Sequence, residues 1–421
     1  MNWINYLFTA LSVLFTLCYA YQIFYIFVPF FKKPKPKNKE LHKFAIMICA
    51  RNEQNVICDL IDSIKCQSYP QELLTVFVMA DNCTDNTAKV ARERGAVVYE
   101  RFNTELVGKG YALNMLLQNI ERDFPEGFDG YMVFDADNVL SHNYIEHMNG
   151  EFFDRSSIVT SYRNSKNYGD NWISAGYALW FLRESKYLNT SRQLLGTSCM
   201  ISGTGFLFGR DILLEQGNWP FYLLTEDIQF SAHHIVGGKK ISIASDAVLY
   251  DEQPTDFKQS WNQRLRWAKG FLQVFGKYGK NIIKKIFKGS FSAYDICMSI
   301  MPAAMISIAT CILGIIGSVI GMCTQTDFWP PLLSMLGGFA YMYFTIYIVG
   351  LVTTISEWKQ IHTTTFKKIW YTFTFPFFMG TYLPIAVVAL CKKNVTWKPI
   401  KHGVKAPEWI DEEEDNKTDN K

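Results

Sequence analysis

Hydrophobic and polar positions alternate between long uncharged runs and densely punctuated ones. Residues 1–31 carry no charge, and 7–30 are apolar or aromatic apart from scattered Thr, Ser, Cys and Gln. A run of that length spans a bilayer as a helix. Lys32, Lys33, Lys35, Lys37, Lys39 and Lys43 follow the run instead of preceding it. That order predicts an uncleaved anchor with its N-terminus outside and its lysines in the cytoplasm, rather than a cleaved export signal. Three more uncharged stretches, 296–326, 328–356 and 369–391, can each cross as a helix, the last bent by Pro376 and Pro384. The segment 357–368, with three Lys and His362, suits a cytoplasmic loop. Four crossings place the tail outside, yet Lys392, Lys393, Lys398, Lys401 and Lys405 favour the inside. One stretch is therefore expected to be re-entrant or interfacial, and the pattern alone does not say which.

Between these runs, 44–258 holds short hydrophobic segments separated by charged punctuation. Residues 44–49 read as a buried strand, and 52–66 carry Val56, Leu60, Ile61 and Ile64 at helical spacing. Then come a strand at 74–79, a turn at 81–85, a helix at about 86–94, a strand at 97–99, a helix at 111–122 and a strand at 131–134. Strand and helix alternating at this spacing predict an α/β domain on a largely parallel sheet. The ligand site of such a sheet gathers at the carboxyl ends of its strands. Arg51, Asn52 and Glu53 follow the first strand, Asp81 the second, Asp135 and Asp137 the fourth. No GxGxxG and no GxxxxGK[ST] occurs, which argues against nicotinamide and P-loop chemistry.

Downstream, 259–292 mixes Trp261, Trp267, Phe271, Phe275, Ile282, Ile283, Ile286 and Phe287 with Arg264, Arg266 and a run of Lys. Apolar spacing of three and four with a basic remaining face describes interfacial amphipathic helices at a cytoplasmic membrane surface, although an ordinary solvated helix has a similar composition. The stretch 296–391 is then a transmembrane region, and 392–421 a polar tail whose five acids at 411–415 point to disorder.

Composition narrows the picture. The 421 residues leave room for a soluble domain of roughly 200–250 residues plus further elements. With 42 Lys+Arg against 39 Asp+Glu the net charge is +3, which argues against a strongly basic nucleic-acid binder. Charged residues at 19% and aromatics at 15% exclude a disordered chain. The ten Cys are too sparse for a disulfide scaffold, and none forms a CxxC pair.

The chemistry-bearing residues form clusters. Asp135-Ala136-Asp137 places two carboxylates at a strand end, where both can reach one divalent cation and that ion can neutralise a diphosphate; an isolated triplet of this kind is equally at home as a turn cap. Asp81 can accept bonds from a base or ribose, or close its own turn with Asn82 and Asp85. Thr225-Glu226-Asp227 opens a helix over 228–236 that Thr225 can cap. A carboxylate there can take the proton of an attacking hydroxyl, or merely favour the helix dipole. Ser202-Gly203-Thr204-Gly205 offers close backbone approach to a sugar or acceptor, as many plain turns do.

Together these clusters resemble, over about residues 44–270, the family 2 glycosyltransferases of the membrane-bound cellulose-synthase and hyaluronan-synthase type. The resemblance rests on Cys49-Ala-Arg-Asn-Glu53, Asp81, Gly108-Lys109-Gly110, Asp135-Ala136-Asp137, Ser202 to Gly205, Thr225-Glu226-Asp227 and the QxxRW motif Gln263-Arg264-Leu265-Arg266-Trp267. It implies a GT-A nucleotide-sugar-binding domain and a UDP-sugar donor. Glu53 and Asp81 would then contact the uridine and Lys109 the nucleotide side of the donor. Asp135 and Asp137 would hold donor and Mg2+ or Mn2+, Asp137 as the direct ligand. Asp227, next to Glu226, would be the general base of an inverting transfer. Gln263, Arg266 and Trp267 would enclose the diphosphate and the acceptor end, with Ser202, Gly203 and Thr204 also on the acceptor side. The second motif reads Asp81-Asn82-Cys83 where many relatives have Asp-Asp-Gly, so Ala80 stands where a carboxylate is usual.

QxxRW in this family usually marks enzymes that keep and lengthen their product. The expected product is therefore a β-linked polysaccharide, β-glucan from UDP-glucose first, then poly-N-acetylglucosamine or a hyaluronan-like polymer. One-step transfer of a sugar to a membrane lipid is the alternative. Either way the enzyme is a multi-pass plasma-membrane protein with its catalytic domain in the cytoplasm, where it meets membrane lipids. A homodimer or an accessory translocation subunit remains open, and no nucleic-acid partner is expected.

Overall fold

The computed structural model describes residues 2–31, 33, 36–324 and 328–393, and positions 395, 402, 403 and 407. Lys32, Lys35, Lys398, Lys401, Lys405 and the acidic run 411–415 lie outside the described residues. The first apolar run forms α1 (Asn2–Tyr19) and α2 (Tyr21–Phe31). The predicted alternation follows: β1 (Phe44–Ala50), α3 (Ile57–Lys65), β2 (Leu74–Asp81), α4 (Thr87–Glu93), β3 (Val97–Arg101), α5 (Lys109–Asp123) and β4 (Gly130–Asp135). Helix α3 starts five residues later than the pattern predicts, because Asn52 takes a left-handed turn at φ 59° directly after β1.

Beyond β4 the chain adds elements that the hydrophobic pattern had not singled out. They are β5 (Val139–Leu140), α6 (Tyr144–Gly150), β6 (Ile158–Ser165), α7 (Trp172–Arg183), a π-helical segment Glu184–Asn189, α8 (Thr190–Leu195), β7 (Phe206–Gly209) and α9 (Arg210–Gln216). The expected α10 (Glu226–Gly237) then leads into β8 (Ile241–Asp251). One eight-stranded sheet results, in the order β3-β2-β1-β4-β7-β6-β8-β5. Pairings within β3-β2-β1-β4 and between β6 and β8 are parallel, while β7 and β5 pair antiparallel with their neighbours. The sheet is thus mixed, yet β1–β4, β6 and β8 all point the same way, so their carboxyl ends share one edge.

Strand β1 lies at the centre of the parallel half and is buried on both faces, which explains its unbroken apolar run. Ile46 and Ile48 pack with Leu60 and Ile61 of α3 on one side, and Ala45 and Met47 with Leu113 and Leu117 of α5 on the other. The chain builds β2 and β3 to one side of β1 and returns to place β4 on the other. That reversal opens a crevice at the carboxyl ends of β1 and β4.

The remaining helices are α11 (Phe257–Phe287), α12 (Phe291–Ile300), α13 (Pro302–Thr324), α14 (Trp329–Ser356), α15 (Thr365–Gly380) and α16 (Tyr382–Cys391). Four stretches are long and apolar enough to cross a membrane: Tyr6–Phe31, Met305–Thr324, Trp329–Ser356 and Thr365–Cys391. The last is broken at Thr381, where the Pro384 ring lacks an N–H for the carbonyl of Gly380 and clashes with it; Pro376 stays inside α15. Its surroundings also differ. Phe375 packs with α7, Phe378 meets Tyr177 edge-on, and Ile385 and Ala389 pack on Leu265 of α11. The opposite face, with Phe366, Trp370, Phe373 and Phe377, is exposed. The fourth apolar stretch therefore lies between the sheet-bearing half and α14, whose Tyr347 and Tyr343 meet Phe373 and Phe377.

A buried ion pair fastens the first anchor to this body. Arg192 of α8 donates twice to Asp295 of α12, at 2.8 Å each, and the same carboxylate accepts from Tyr21 at 2.9 Å and Tyr25 at 2.8 Å. Four donors on one carboxylate offset the cost of burying both charges.

Candidate active site

The crevice opens into a single cavity lined by Glu53, Asp81, Lys109, Asp135, Asp137, Ser202, Gly203, Glu226, Asp227, Gln263, Arg266 and Trp267. Residues far apart in the chain thus converge. Asp81 is buried and takes a bond of 2.6 Å from Arg101, and Asn82 donates to it at 3.0 Å. Asn82 itself adopts φ 54°, and asparagine is the non-glycine residue type best suited to a left-handed turn. The Lys109 ammonium, in the first turn of α5, donates to Asp135 at 2.5 Å and to the Gly203 carbonyl at 2.9 Å.

Thr204 takes a different place from the acceptor side the resemblance implies. It does not line the cavity: its hydroxyl accepts the Asp135 N–H at 2.9 Å and donates to Asn138 at 2.6 Å, bracing the acidic triplet from behind. Asp137 is buried and accepts the Glu252 N–H at 3.0 Å. Burial pushes its carboxyl up, but His402, Lys166, the Glu252 amide and Arg163 outweigh this and hold it below the ordinary value. The carboxyl of Glu53 is pushed up to about 8, first by burial and then by Asp137, Asp135 and Glu252, against His402. Among the described residues no three His, Cys, Asp or Glu side chains converge as a metal cage. What faces the cavity is a group of hard oxygen donors with excess negative charge, which fits a Mg2+- or Mn2+-class ion whose shell is completed by phosphate and water.

Thr225 occupies the N-cap of α10, but its hydroxyl makes no capping bond and is buried without a partner, so the capping expected of it is absent. Gly270 of α11 passes so close that a Cβ there would lie 2.5 Å from that hydroxyl. Asp227, in the first turn, accepts the Gly203 N–H at 2.7 Å. Gly203 turns at φ 82° to present this N–H, a conformation side chains resist. Burial raises the carboxyls of both neighbours, Glu226 to about 7 with help from Asp227. On α11, Gln263, Arg266 and Trp267 stand three and four residues apart and line the cavity together. Arg266 donates to the Leu224 carbonyl at 2.8 Å, and Trp267 packs edge-on against Tyr177 and Phe181. Arg264, one step round the helix, is fully buried away from the cavity and donates to Thr381 at the α15–α16 break at 2.6 Å.

Six charged or imidazole side chains on the lining escaped the sequence reading: Arg163, Arg183, Glu184, Asp251, Glu252 and His402. Arg163 lies over the Phe181 ring, bonds Asp251 through Nε at 2.7 Å and donates to the Ser202 carbonyl at 2.8 Å. Asp251 ends β8 and Glu252 follows it, so acids at a strand end were a usable signal. His402 comes from the tail, its Nδ1 3.7 Å from Asp137 and 3.8 Å from Glu252, and Gly403 donates to Glu252.

The sequence of residues 42–270, more than half of the chain, matches the family model described as "Glycosyltransferase like family 2". A beta-monoglucosyldiacylglycerol synthase of Nostoc sp. is 24% identical over 347 residues, covering 78% of this chain and 69% of that protein. A poly-beta-1,6-N-acetyl-D-glucosamine synthase of Staphylococcus aureus is 24% identical over 248 residues, 58% of each chain. Among solved structures, a mannosyltransferase of Pyrobaculum calidifontis in complex with GDP-Man and Mn2+ superposes with a TM-score of 0.60 at 16% identity, over 93% of this chain and all of that one. The mixed sheet and its crevice are those of the GT-A fold, and the chain belongs to the family 2 glycosyltransferases.

Proposed function

We propose that this glycosyltransferase is a membrane-bound synthase of the cellulose-synthase and hyaluronan-synthase type, which lengthens a β-linked polysaccharide from a UDP-sugar, β-glucan from UDP-glucose foremost. The observation that carries this reading is the continuity of the cavity. It encloses about 1390 Å³, with Asp137, Asp227 and Trp267 at one end and Gly321, Pro330 and Pro331, at the far ends of α13 and α14, at the other. A product made at the donor site would leave along the membrane helices that line the same cavity.

In the transfer, the acceptor oxygen attacks the anomeric carbon as the bond from that carbon to the diphosphate breaks, and the hydroxyl proton passes to Asp227. Displacement from the opposite face inverts the anomeric centre. Lys109 and Arg266 hold fixed positive charge beside the departing diphosphate. Glu53 and Asp81 bind the uridine, Asp81 oriented by Arg101. Asp137, with Asp135, would hold Mg2+ or Mn2+, which supplies charge neutralisation for the diphosphate. Trp267 offers a ring face to the acceptor sugar.

The catalytic domain, 44–258, is cytoplasmic in this reading, and 259–292 lies at the inner surface of the plasma membrane. Lysines 33, 37, 39 and 43 after the anchor and 359, 367 and 368 after α14 support that side. Three crossings, with α15–α16 in the interface, return the tail to the cytoplasm, as contact of His402 with Asp137 requires. A second copy or an accessory subunit would close the lipid-facing side of the route.

One observation favours a second reading, transfer of a single sugar to a membrane lipid: the membrane part of the cavity carries no charged side chain among its described lining residues. Purified protein in nanodiscs, given radiolabelled UDP-sugars one at a time, separates the two. A long product that resists lipid extraction supports polymerisation, and a one-sugar lipid as sole product overturns it.

A further inference from the structure

The cavity contains a second carboxylate beside the reaction centre that the mechanism above leaves unused. Glu184 opens the π-helical segment Glu184–Asn189, and one of its oxygens accepts the Ser202 hydroxyl at 3.1 Å. The next residue, Gly203, holds Asp227 through its N–H. Two carboxylates therefore flank one tight turn and line the same cavity. The other oxygen of Glu184 has no hydrogen-bond partner among the described residues. Arg183, adjacent, also lines the cavity and donates to Gln22 of α2 at 2.7 Å.

A π-helical turn is poorly bonded internally and persists where its surroundings enforce it, frequently at functional sites. Here the clamps come largely from the membrane-embedded half. Ser191 donates to the Tyr25 carbonyl at 2.7 Å, Lys186 pairs with Glu357 after α14 at 3.4 Å, and Arg192 is fixed by Asp295. Asn189 exchanges two bonds with Met200 on the segment leading to Ser202, at 2.9 and 3.1 Å. The widened turn thus aims the Arg183–Glu184 pair at the acceptor side of Asp227.

We propose that Glu184, Arg183 and Gln22 form an acceptor subsite for the hydroxyl groups of the ring that receives the sugar, with Glu184 fixing which hydroxyl faces Asp227. A charged carboxylate with one free oxygen, a fixed guanidinium and a carboxamide match the alternating donors and acceptors of a polyhydroxylated ring. Burial raises the Glu184 carboxyl and Ser202, Arg192 and Arg163 counteract it, so the group rests in a polar niche within the cavity wall. The inference rests on the transferase reading of this cavity and adds the origin of its linkage selectivity.

The test uses the full-length protein in nanodiscs with two acceptor types, a short β-glucan oligosaccharide and a diacylglycerol. For Glu184→Gln the acceptor KM should rise about ten- to a hundred-fold, the span of one to two charge-assisted hydrogen bonds, while the donor KM holds. Linkage analysis should show a broader set of bonds, and Glu184→Asp should restore much of the selectivity. Gln22→Ala, on another element, should raise the acceptor KM more weakly in the same direction. An unchanged acceptor KM and linkage pattern in Glu184→Gln overturns the subsite. So does an equal rise in donor and acceptor KM, which marks a structural role. If the wild-type protein uses the diacylglycerol and refuses the oligosaccharide, the polymer reading fails, and a monoglucosyldiacylglycerol then supplies the acceptor ring on which the KM shift of Glu184→Gln decides the subsite.

Discussion

Replacement of Asp227 by Asn isolates the proton transfer from everything else the residue does. The Gly203 N–H that bonds Asp227 at 2.7 Å can bond the amide oxygen of Asn equally well, so the side chain keeps its orientation. What changes is the group at the other oxygen position, where an NH2 cannot accept a proton. General-base catalysis contributes about 10²–10⁴-fold, or roughly 2.7–5.5 kcal/mol at 1.36 kcal/mol per decade, and that is the expected fall in kcat. Donor affinity should persist. The assay measures UDP release and labelled product under saturating donor, with donor binding followed separately. The pH profile supplies an internal control. Burial raises the Asp227 carboxyl, so the competent base is lost as pH falls through a range above that of an ordinary carboxylate. An ordinary Asp would titrate only near pH 4. Wild-type activity should therefore climb with pH through a range above that of an ordinary carboxylate, and Asp227→Asn should lack that limb. Wild-type turnover in the variant, or loss of donor binding in step with kcat, would falsify the assignment of the base.

Asp137→Ala should flatten the dependence of activity on Mg2+ or Mn2+ and weaken donor binding, and an unaltered metal titration would count against its role. Trp267→Ala should shorten the product and raise the acceptor KM while leaving the donor KM in place; unchanged product length removes the case for sugar stacking. Arg192→Met should destabilise the protein by about 3–5 kcal/mol in denaturant titrations in detergent, because it leaves Asp295 charged and unpaired in a site where the two side chains are 0% and 2% exposed. Adding Asp295→Leu to it should recover part of that loss, and a single-variant effect under about 1 kcal/mol would show that the pair does not fasten the anchor.

The parallel half of the sheet was legible because a strand buried on both faces must be apolar throughout, and β1, β2 and β4 obey that rule with acids placed just after them. The anchor, α13 and α14 were legible for a related reason: lipid tolerates no charge over such lengths. QxxRW was readable as one face because 263, 266 and 267 fall three and four apart on any helix. Strands β6 and β8 are mixed in polarity, and β7 is only four residues long, so all three acquire meaning only through pairing partners remote in sequence and local pattern did not single them out.

Tertiary structure decided the rest. Thr204 and Ser202 are near neighbours in a turn of small residues, yet one faces inward to brace Asp135 and the other faces the cavity; only the positive φ at Gly203 between them separates those fates. The packing of α15 and α16 on α7 and α11, and the approach of His402 to Asp137, appear only in the tertiary structure. Glu184 carried no sequence signal, because a π-helical turn arises from clamps by distant helices and not from its own residues. Sequence periodicity records which face of an element meets apolar surroundings. It does not record which other element supplies them, and the site is made where those elements meet.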